Sequence, residues 1–230
     1  SFYQTAIGDL LSREMADPEL ASRTSVAWNK LLMLQLDLPG GLPRAAPSDW
    51  RQLGDITAEA FSEDPINRWI FGTDAAMKAT FRQLARDIYL PHGICHMMGD
   101  DAATMWSLSD TRQGMSGFQT LRLVWSLMSK GSKGAMKRAM GAGEIMAKHH
   151  PSDPHLYLFT IGTRKAARGT GLGKAILRPM LDAADRAGLP CYLENTNPAN
   201  SGFYMSQGFE RMEVFEVGEG SPPMEAMWRE

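Results

Sequence analysis

Seven consecutive residues, Arg168-Gly169-Thr170-Gly171-Leu172-Gly173-Lys174, set three glycines and two cations between a strand-like and a helix-like run. His155-Leu156-Tyr157-Leu158-Phe159-Thr160-Ile161 before them is rich in β-branched and aromatic residues, the composition of a strand. After them Ile176, Met180, Ala183 and Ala187 recur at helical spacing. A glycine-rich turn that feeds a helix exposes backbone N–H groups at the positive end of the helix dipole, which is a ready site for phosphate.

The spacing discriminates between phosphate loops. A magnesium-nucleotide loop needs glycine five residues before its Gly-Lys pair and Ser or Thr directly after. Here Arg168 and Ala175 hold those places, so that chemistry is excluded. A dinucleotide loop needs glycine at its sixth position, where Lys174 stands if Gly169 is the first. Glu194 does lie at roughly the distance of a ribose-binding acid, so this reading fails on one glycine and survives on one carboxylate. The third pattern, Arg/Gln-x-x-Gly-x-Gly/Ala, is met by Arg168, Gly171 and Gly173.

Two other clusters carry reactive residue types. His92-x-x-Cys95-His96 has metal-ligating types, but it bridges a loop and a strand, where successive side chains point to opposite faces. A zinc site would need further ligands, and no metal is expected. Lys130, Lys133, Lys137 and Arg138 form a basic run that reads as a solvated helix face. The two cysteines, Cys95 and Cys191, make no disulfide or metal pattern.

The elements that position the loop read as follows. Ser48-Asp49 caps a helix running to about Phe61 and ended by Asp64-Pro65; a second helix runs from about Thr73 to Leu90. Strands are expected from Ile94 to Met98 and from Ala102 to Leu108, joined by Gly99-Asp100-Asp101. Residues 114–148 carry two helical stripes and read as a helical insert between strands. Then come the strand to Ile161, a helix over 171–187, a strand at Pro190 to Glu194, a short helix near 199–207, and a hairpin of Phe209 to Val217 with Pro223 to Trp228. Pro179 lies inside the helix, removes one ladder bond toward Ala175 and predicts a kink costing roughly 3 kcal/mol unless accommodated. Residues 1–41 read as a helical extension with Ile7, Leu10, Leu11 and Met15 on one stripe, serving as an accessory hairpin, a dimer arm or a lid. A homodimer therefore stays open.

The whole chain sets bounds on these readings. Its 230 residues suit one sizeable α/β domain with an extension. A net charge of −2 argues against a nucleic-acid binder, which carries a strong basic excess. Leu31-Leu32-Met33-Leu34 is too short to span a bilayer, so no membrane partner is expected, and a reducing cytoplasm is the expected location. Sixteen methionines read as core filling or as an adaptable pocket wall.

From Leu156 to Phe209 the chain resembles the GNAT superfamily of N-acetyltransferases, on the glycine loop followed by Leu193-Glu194-Asn195-Thr196-Asn197-Pro198-Ala199-Asn200, Phe203-Tyr204 and Gly208-Phe209. It is more similar still to the puromycin N-acetyltransferase branch, on His149-His150-Pro151, Pro179, Gly188-Leu189-Pro190, and Leu193-Glu194 leading to Asn200 and Phe203-Tyr204. The specific match covers about residues 149–229, a looser one reaches back to about Leu42, and residues 1–41 are not covered.

The resemblance implies an α/β (α+β) GNAT fold over residues 42–230, with a mixed central sheet of about six to seven strands splayed between the family's fourth and fifth strands. It implies acetyl-CoA as co-substrate, its pyrophosphate on the backbone of Arg168, Gly169, Thr170, Gly171, Leu172, Gly173 and Lys174. Pantetheine would lie along Thr160, Ile161, Gly162 and Thr163, with Gly162 suiting the bulge that opens the sheet. Asn200 and, as in the wider superfamily, Asn197 would bond the coenzyme beside Phe203. Tyr204 would be the acid that protonates the departing thiolate. Glu194 ends a strand and is the candidate base or a structural acid; His150 and His155 are rivals, although a histidine at a strand start is expected on the surface.

The function expected is direct acetyl transfer in a ternary complex to a primary amine of a small molecule or peptide. The alternatives are a non-catalytic acyl-CoA-binding or sensing module and a dinucleotide-binding protein.

Overall fold

A computed structural model describes residues 42–109 and 115–230. The helical extension expected over 1–41 and the start of the insert lie outside the described residues. Six strands, β1 (Ile94–Met98), β2 (Ala102–Leu108), β3 (Leu156–Thr163), β4 (Cys191–Asn195), β5 (Glu210–Glu216) and β6 (Pro223–Arg229), form one open sheet in the order β1-β2-β3-β4-β6-β5. Only β3 and β4 run parallel; every other neighbouring pair is antiparallel.

The helices are α1 (Trp50–Ala60), α2 (Pro65–Phe71), α3 (Asp74–Leu84), α4 (Gly117–Lys130), α5 (Ala135–His149), α6 (Leu172–Ala187) and the short α7 (Ser201–Met205). On one face of the sheet α6 buries Ile176, Leu177, Met180 and Leu181, and its last three join a core with Ile94, Trp106, Leu158 and Leu193. The helix runs unbroken through Pro179. On the other face α1 and α3 pack Leu53, Ile56, Met77 and Phe81 against Cys95, Ala103 and Met105. A third cluster joins Ile66 of α2 and Ala142 of α5 to Tyr157, Tyr192 and Met224.

Three local features differ from the sequence reading. Asp64-Pro65 starts a helix as well as ending the preceding segment: the Asp64 carboxylate accepts from the N–H of Asn67, Pro65 occupies the first turn, and Gly72 closes α2 at φ 70°. The helix expected from Thr73 to Leu90 changes to a π turn at Ala85–Tyr89 before ending at Leu90–His92.

The bulge in β3 falls at Phe159, not at Gly162. Met105 pairs with Thr160 and Trp106 with Leu158, which leaves Phe159 as the extra residue, while Gly162 stays in register opposite Ala103. Gly162 is small for a packing reason: a Cβ there would meet the Ala60 Cβ at 2.8 Å. Phe159 stacks on Tyr89 of the π turn with ring centroids 4.4 Å apart and planes 7° from parallel. The two irregularities therefore hold each other. An extra residue reverses which face the later side chains take. Leu156 and Leu158 pack on the α6 side before the bulge, and Ile161 does so after it.

The insert is a helical pair, as the stripes predicted. Ser116 and Gln119 form a capping box at the start of α4, whose outer stripe presents Phe118, Leu121, Trp125 and Met128 to solvent. Arg138 turns inward from the basic run and donates to the Ile70 carbonyl, while Lys130, Lys133 and Lys137 are exposed. Asp87 of the π turn is buried and ties α4 down: Arg86 lies 2.8 Å from it and Arg122 of α4 pairs with its other oxygen. Burial pushes this carboxyl upward, but the two guanidinium groups prevail and hold it below the usual aspartate range.

A carboxylate whose folded pKa is depressed stabilises the fold above its unfolded pKa and loses that contribution as pH falls through the folded value. Asp87→Asn is therefore expected to cost about 1.5–3 kcal/mol at neutral pH. In urea melts the difference from the parent chain should close as pH falls through the depressed Asp87 value, below the ordinary aspartate range.

Candidate active site

The parallel pairing of β3 with β4 lasts only two residues, Leu156 with Cys191 and Tyr157 with Tyr192. Beyond it the strands separate, and a cavity of about 680 Å³ opens between them, running from the glycine loop to the aromatic layer of Phe71, Phe81 and Phe159. At the loop end Gly169 (φ 77°) and Gly171 (φ 85°) adopt left-handed backbone that only glycine takes cheaply. Gly171 then caps α6, so the first N–H groups of the helix lack intrahelical partners and face the loop. A Cβ on Gly173 would stand 3.7 Å from Phe203 and Thr163, ordinary contact, so the absent side chain leaves room that the protein itself does not need.

The loop is fastened to the end of α1. Arg168 donates to the Ala60 carbonyl at 3.0 Å, Lys165 pairs with Glu63 at 2.7 Å, and Arg164 pairs with Glu59. The Arg168 side chain thus clamps the loop, while the hydroxyl of Thr170 bonds the Ala167 carbonyl at 2.7 Å.

Of the residues singled out in the sequence, Thr160, Ile161, Thr163, Arg168, Gly169, Gly171, Leu172, Gly173, Lys174, Glu194, Asn197, Asn200, Phe203 and Tyr204 line this one cavity. Gly162 and Thr170 are not among its lining residues. The Thr160 hydroxyl is buried and lacks a protein partner among the described residues. Asn197 uses its carbonyl oxygen to accept from the Ala199 N–H at 3.1 Å, capping the turn that carries Asn200. Asn200 itself is exposed.

Tyr204 is buried between Phe203 and Phe209, ring centroids 5.3 and 6.2 Å away. Burial, with the nearby negative charge of Asp64, pushes its phenol well above the ordinary range. A phenol in that state is protonated near neutral pH. Asp64, which the sequence marks only as a helix end, also lines the cavity. It is buried in the same cavity wall, accepts from the Thr196 hydroxyl at 2.5 Å and from Asn67, and its carboxyl is pushed upward by burial.

Glu194 lies next to last in β4 with its side chain only 3% exposed. The Tyr157 hydroxyl donates to its Oε2 at 2.5 Å, and His150 Nδ1 lies 3.5 Å from its Oε1. His155, expected on the surface, is fully buried. Its ring is satisfied on both sides, by the Asp153 carbonyl at 2.7 Å and by His150 at 3.1 Å, which is what allows an imidazole to be buried. No spacing in the sequence joins His150 and His155 to Glu194, because the parallel register brings them together. The thiols of Cys95 and Cys191 are buried and pushed up to about 12 by that burial, so neither is a ready nucleophile. Among the described residues no group of three or more His, Cys, Asp or Glu side chains gathers as a metal site, and no helix is long and apolar enough to cross a membrane.

Residues 135–211 match the family model of the acetyltransferase (GNAT) domain. The solved Corynebacterium glutamicum protein described as histone acetyltransferase HPA2 and related acetyltransferase is 28% identical, over 82% of this chain and 94% of that one, with a TM-score of 0.60. The Drosophila melanogaster polyamine N-acetyltransferase (11% identity, 81% and 97% covered, TM-score 0.55) shares the fold. So does arylalkylamine N-acetyltransferase 2 of Aedes aegypti (11%, 82% and 97%, 0.52). Residues 135–211, which match the acetyltransferase (GNAT) domain model, contain both β3 and β4, and the cavity between these strands is the candidate active site.

Tyr89, Tyr157, Tyr192 and Tyr204, four of the five tyrosines, are pushed above their ordinary range, in each case first by burial. Spectrophotometric titration of the folded protein to about pH 11 is expected to leave these four un-ionised. Their phenolate absorbance should rise only when denaturant is added.

Proposed function

We propose that this chain transfers the acetyl group of acetyl-CoA directly to the primary amine of a small molecule or peptide. The observation that carries this reading is the early parting of β3 from β4, which opens one cavity onto the glycine loop, Tyr204 and Glu194 together. The residues suit the coenzyme. The free N–H groups at the start of α6 match a pyrophosphate, glycine at 171 and 173 permits its approach, and the buried Thr160 hydroxyl is left for a bound partner. Acetyl-CoA supplies an activated thioester.

Four provisions follow for this chain. The backbone of Arg168 to Lys174 holds the phosphates. Backbone N–H groups at the end of β3, among Thr160, Ile161, Gly162 and Thr163, lie along the pantetheine path and polarise the acetyl carbonyl. Glu194 accepts the proton that the amine loses as its nitrogen bonds the acetyl carbon. Tyr204 donates its phenolic proton as the carbon–sulfur bond breaks, so the products are an amide and a thiol. Asn200 and Phe203 sit beside Tyr204 on the coenzyme side, with Asn197 holding their turn. Two buried, unactivated cysteines support direct transfer over a covalent enzyme intermediate. The resemblance to the puromycin branch puts aminonucleosides in the acceptor panel, and the unpaired cysteines suit a reducing cytoplasm.

The dinucleotide alternative is disfavoured by a sheet with a single parallel pair and by a Glu194 whose Oε2 is already taken by the Tyr157 hydroxyl.

Thiol release from acetyl-CoA, followed with a panel of arylalkylamines, polyamines, aminonucleosides and peptides, tests the reading. Turnover with at least one amine is expected, and Tyr204→Phe should lower kcat by about 10²-fold. Gly171→Val should raise the Kd for acetyl-CoA at least about tenfold, because a β-branched residue resists positive φ. Tight coenzyme binding with no turnover across the panel would establish the non-catalytic module instead.

A further inference from the structure

Behind Glu194 three groups follow one another in a line. His150 Nδ1 lies 3.5 Å from Glu194 Oε1, His150 Nε2 lies 3.1 Å from His155 Nε2, and His155 Nδ1 lies 2.7 Å from the Asp153 carbonyl oxygen. The protons along this line are assigned by elimination. A carbonyl oxygen can only accept, so His155 Nδ1 carries hydrogen. Burial lowers the pKa of His155 to about 4, so near neutral pH the ring is neutral and its Nε2 is a bare lone pair. His150 Nε2 must then carry hydrogen and donate to it. Of the two His150 ring nitrogens, Nδ1 is the one that faces the carboxylate.

The surroundings close the other exits. Tyr157 of β3 donates to the second oxygen of Glu194, and Tyr192 of β4 and Tyr89 of the π turn are buried beside it as protonated phenols. Glu213 of β5 is engaged by His149 at 2.8 Å. The rings of Tyr157 and Tyr192 meet His150 edge-on at 5.0 and 4.9 Å, and Trp228 covers His155 at 5.5 Å. Glu194 is 3% exposed, whereas His150 is 27% exposed, so the imidazole is the member of the line that reaches water.

We propose that Glu194, His150 and His155 form a proton relay that leads from the cavity to solvent. Its first step rests on the acetyl-transfer reading above. The proton lost by the acceptor nitrogen passes to Glu194, then from Oε1 to Nδ1 of His150, where it leaves an imidazolium paired with a carboxylate. His150 releases it to water and the line returns to its starting state. His155 is a positioning residue: it holds His150 in the tautomer whose Nδ1 lone pair faces Glu194. His150 acts through Glu194 and is likewise a positioning and proton-carrying residue.

The relay is tested with the full chain. His150→Gln is expected to lower kcat about 10²-fold with KM values for both substrates within about twofold. Adding Glu194→Gln should bring little further loss, because the two act as one unit. Imidazole in the buffer should restore part of the turnover of His150→Gly. Nitrogen-15 spectra should report a neutral His155 protonated at Nδ1, and His155→Leu should release His150 to the other tautomer. A His150→Gln enzyme within twofold of the parent, losses that multiply in the double variant, or a His155 protonated at Nε2 would each overturn the relay. If the parent chain acetylates no amine, the acetyl-transfer reading fails, and the tautomer spectra still decide the arrangement of the two histidines.

Discussion

The candidate site depends on one constraint, the brevity of the parallel pairing between β3 and β4. Two residues of each strand are in register before they part. Phe159 causes the change of register against β2, and its stack on Tyr89 fixes the extra residue in place. Without that bulge Ile161 would turn away from α6, and the wall between the glycine loop and the core would carry different side chains. A parallel pair is also the weaker kind of ladder, so a small local irregularity suffices to end it.

The cavity that results is chemically divided. Its loop end offers backbone N–H groups and cations; its middle holds two buried carboxylates, Asp64 and Glu194, each with neutral donors rather than a lysine or arginine on it. Asp64 and Tyr204 both line this middle, and the nearby carboxylate helps keep the phenol protonated. Glu194 instead has a line of imidazoles behind it. The two carboxylates thus have different surroundings, one near a phenol whose proton its charge helps hold, the other backed by two imidazoles.

Most elements were legible because their signals are local. The strands β1 and β2 fall at the expected residues, since each is a short apolar run bounded by glycine and aspartate turns. The glycine loop was legible because left-handed backbone at Gly169 and Gly171 leaves a composition that few other structures need. Helix α2 was missed because Asp-Pro both ends and begins helices, and seven residues carry too little periodicity to tell which. The bulge was misplaced at Gly162 because glycine is the usual marker of irregular backbone, whereas here an aromatic stack fixes it at Phe159 and the glycine yields to Ala60. His155 was assigned to the surface because its burial depends on a partner five residues away and on Trp228 at the far end of the chain.

The sequence by itself determined the glycine-loop side of the cavity. Loop spacing, the helix that follows and the Asn, Phe and Tyr after β4 are contiguous features, and backbone conformation is a local property. Tertiary structure alone decided how protons are held. The pairing of Glu194 with His150 and His155, the charge of Asp64 beside Tyr204 and the point where β3 leaves β4 all join residues distant in the chain. Burial and partners set whether an ionisable group keeps or yields its proton, and neither exists until the sheet has closed around it.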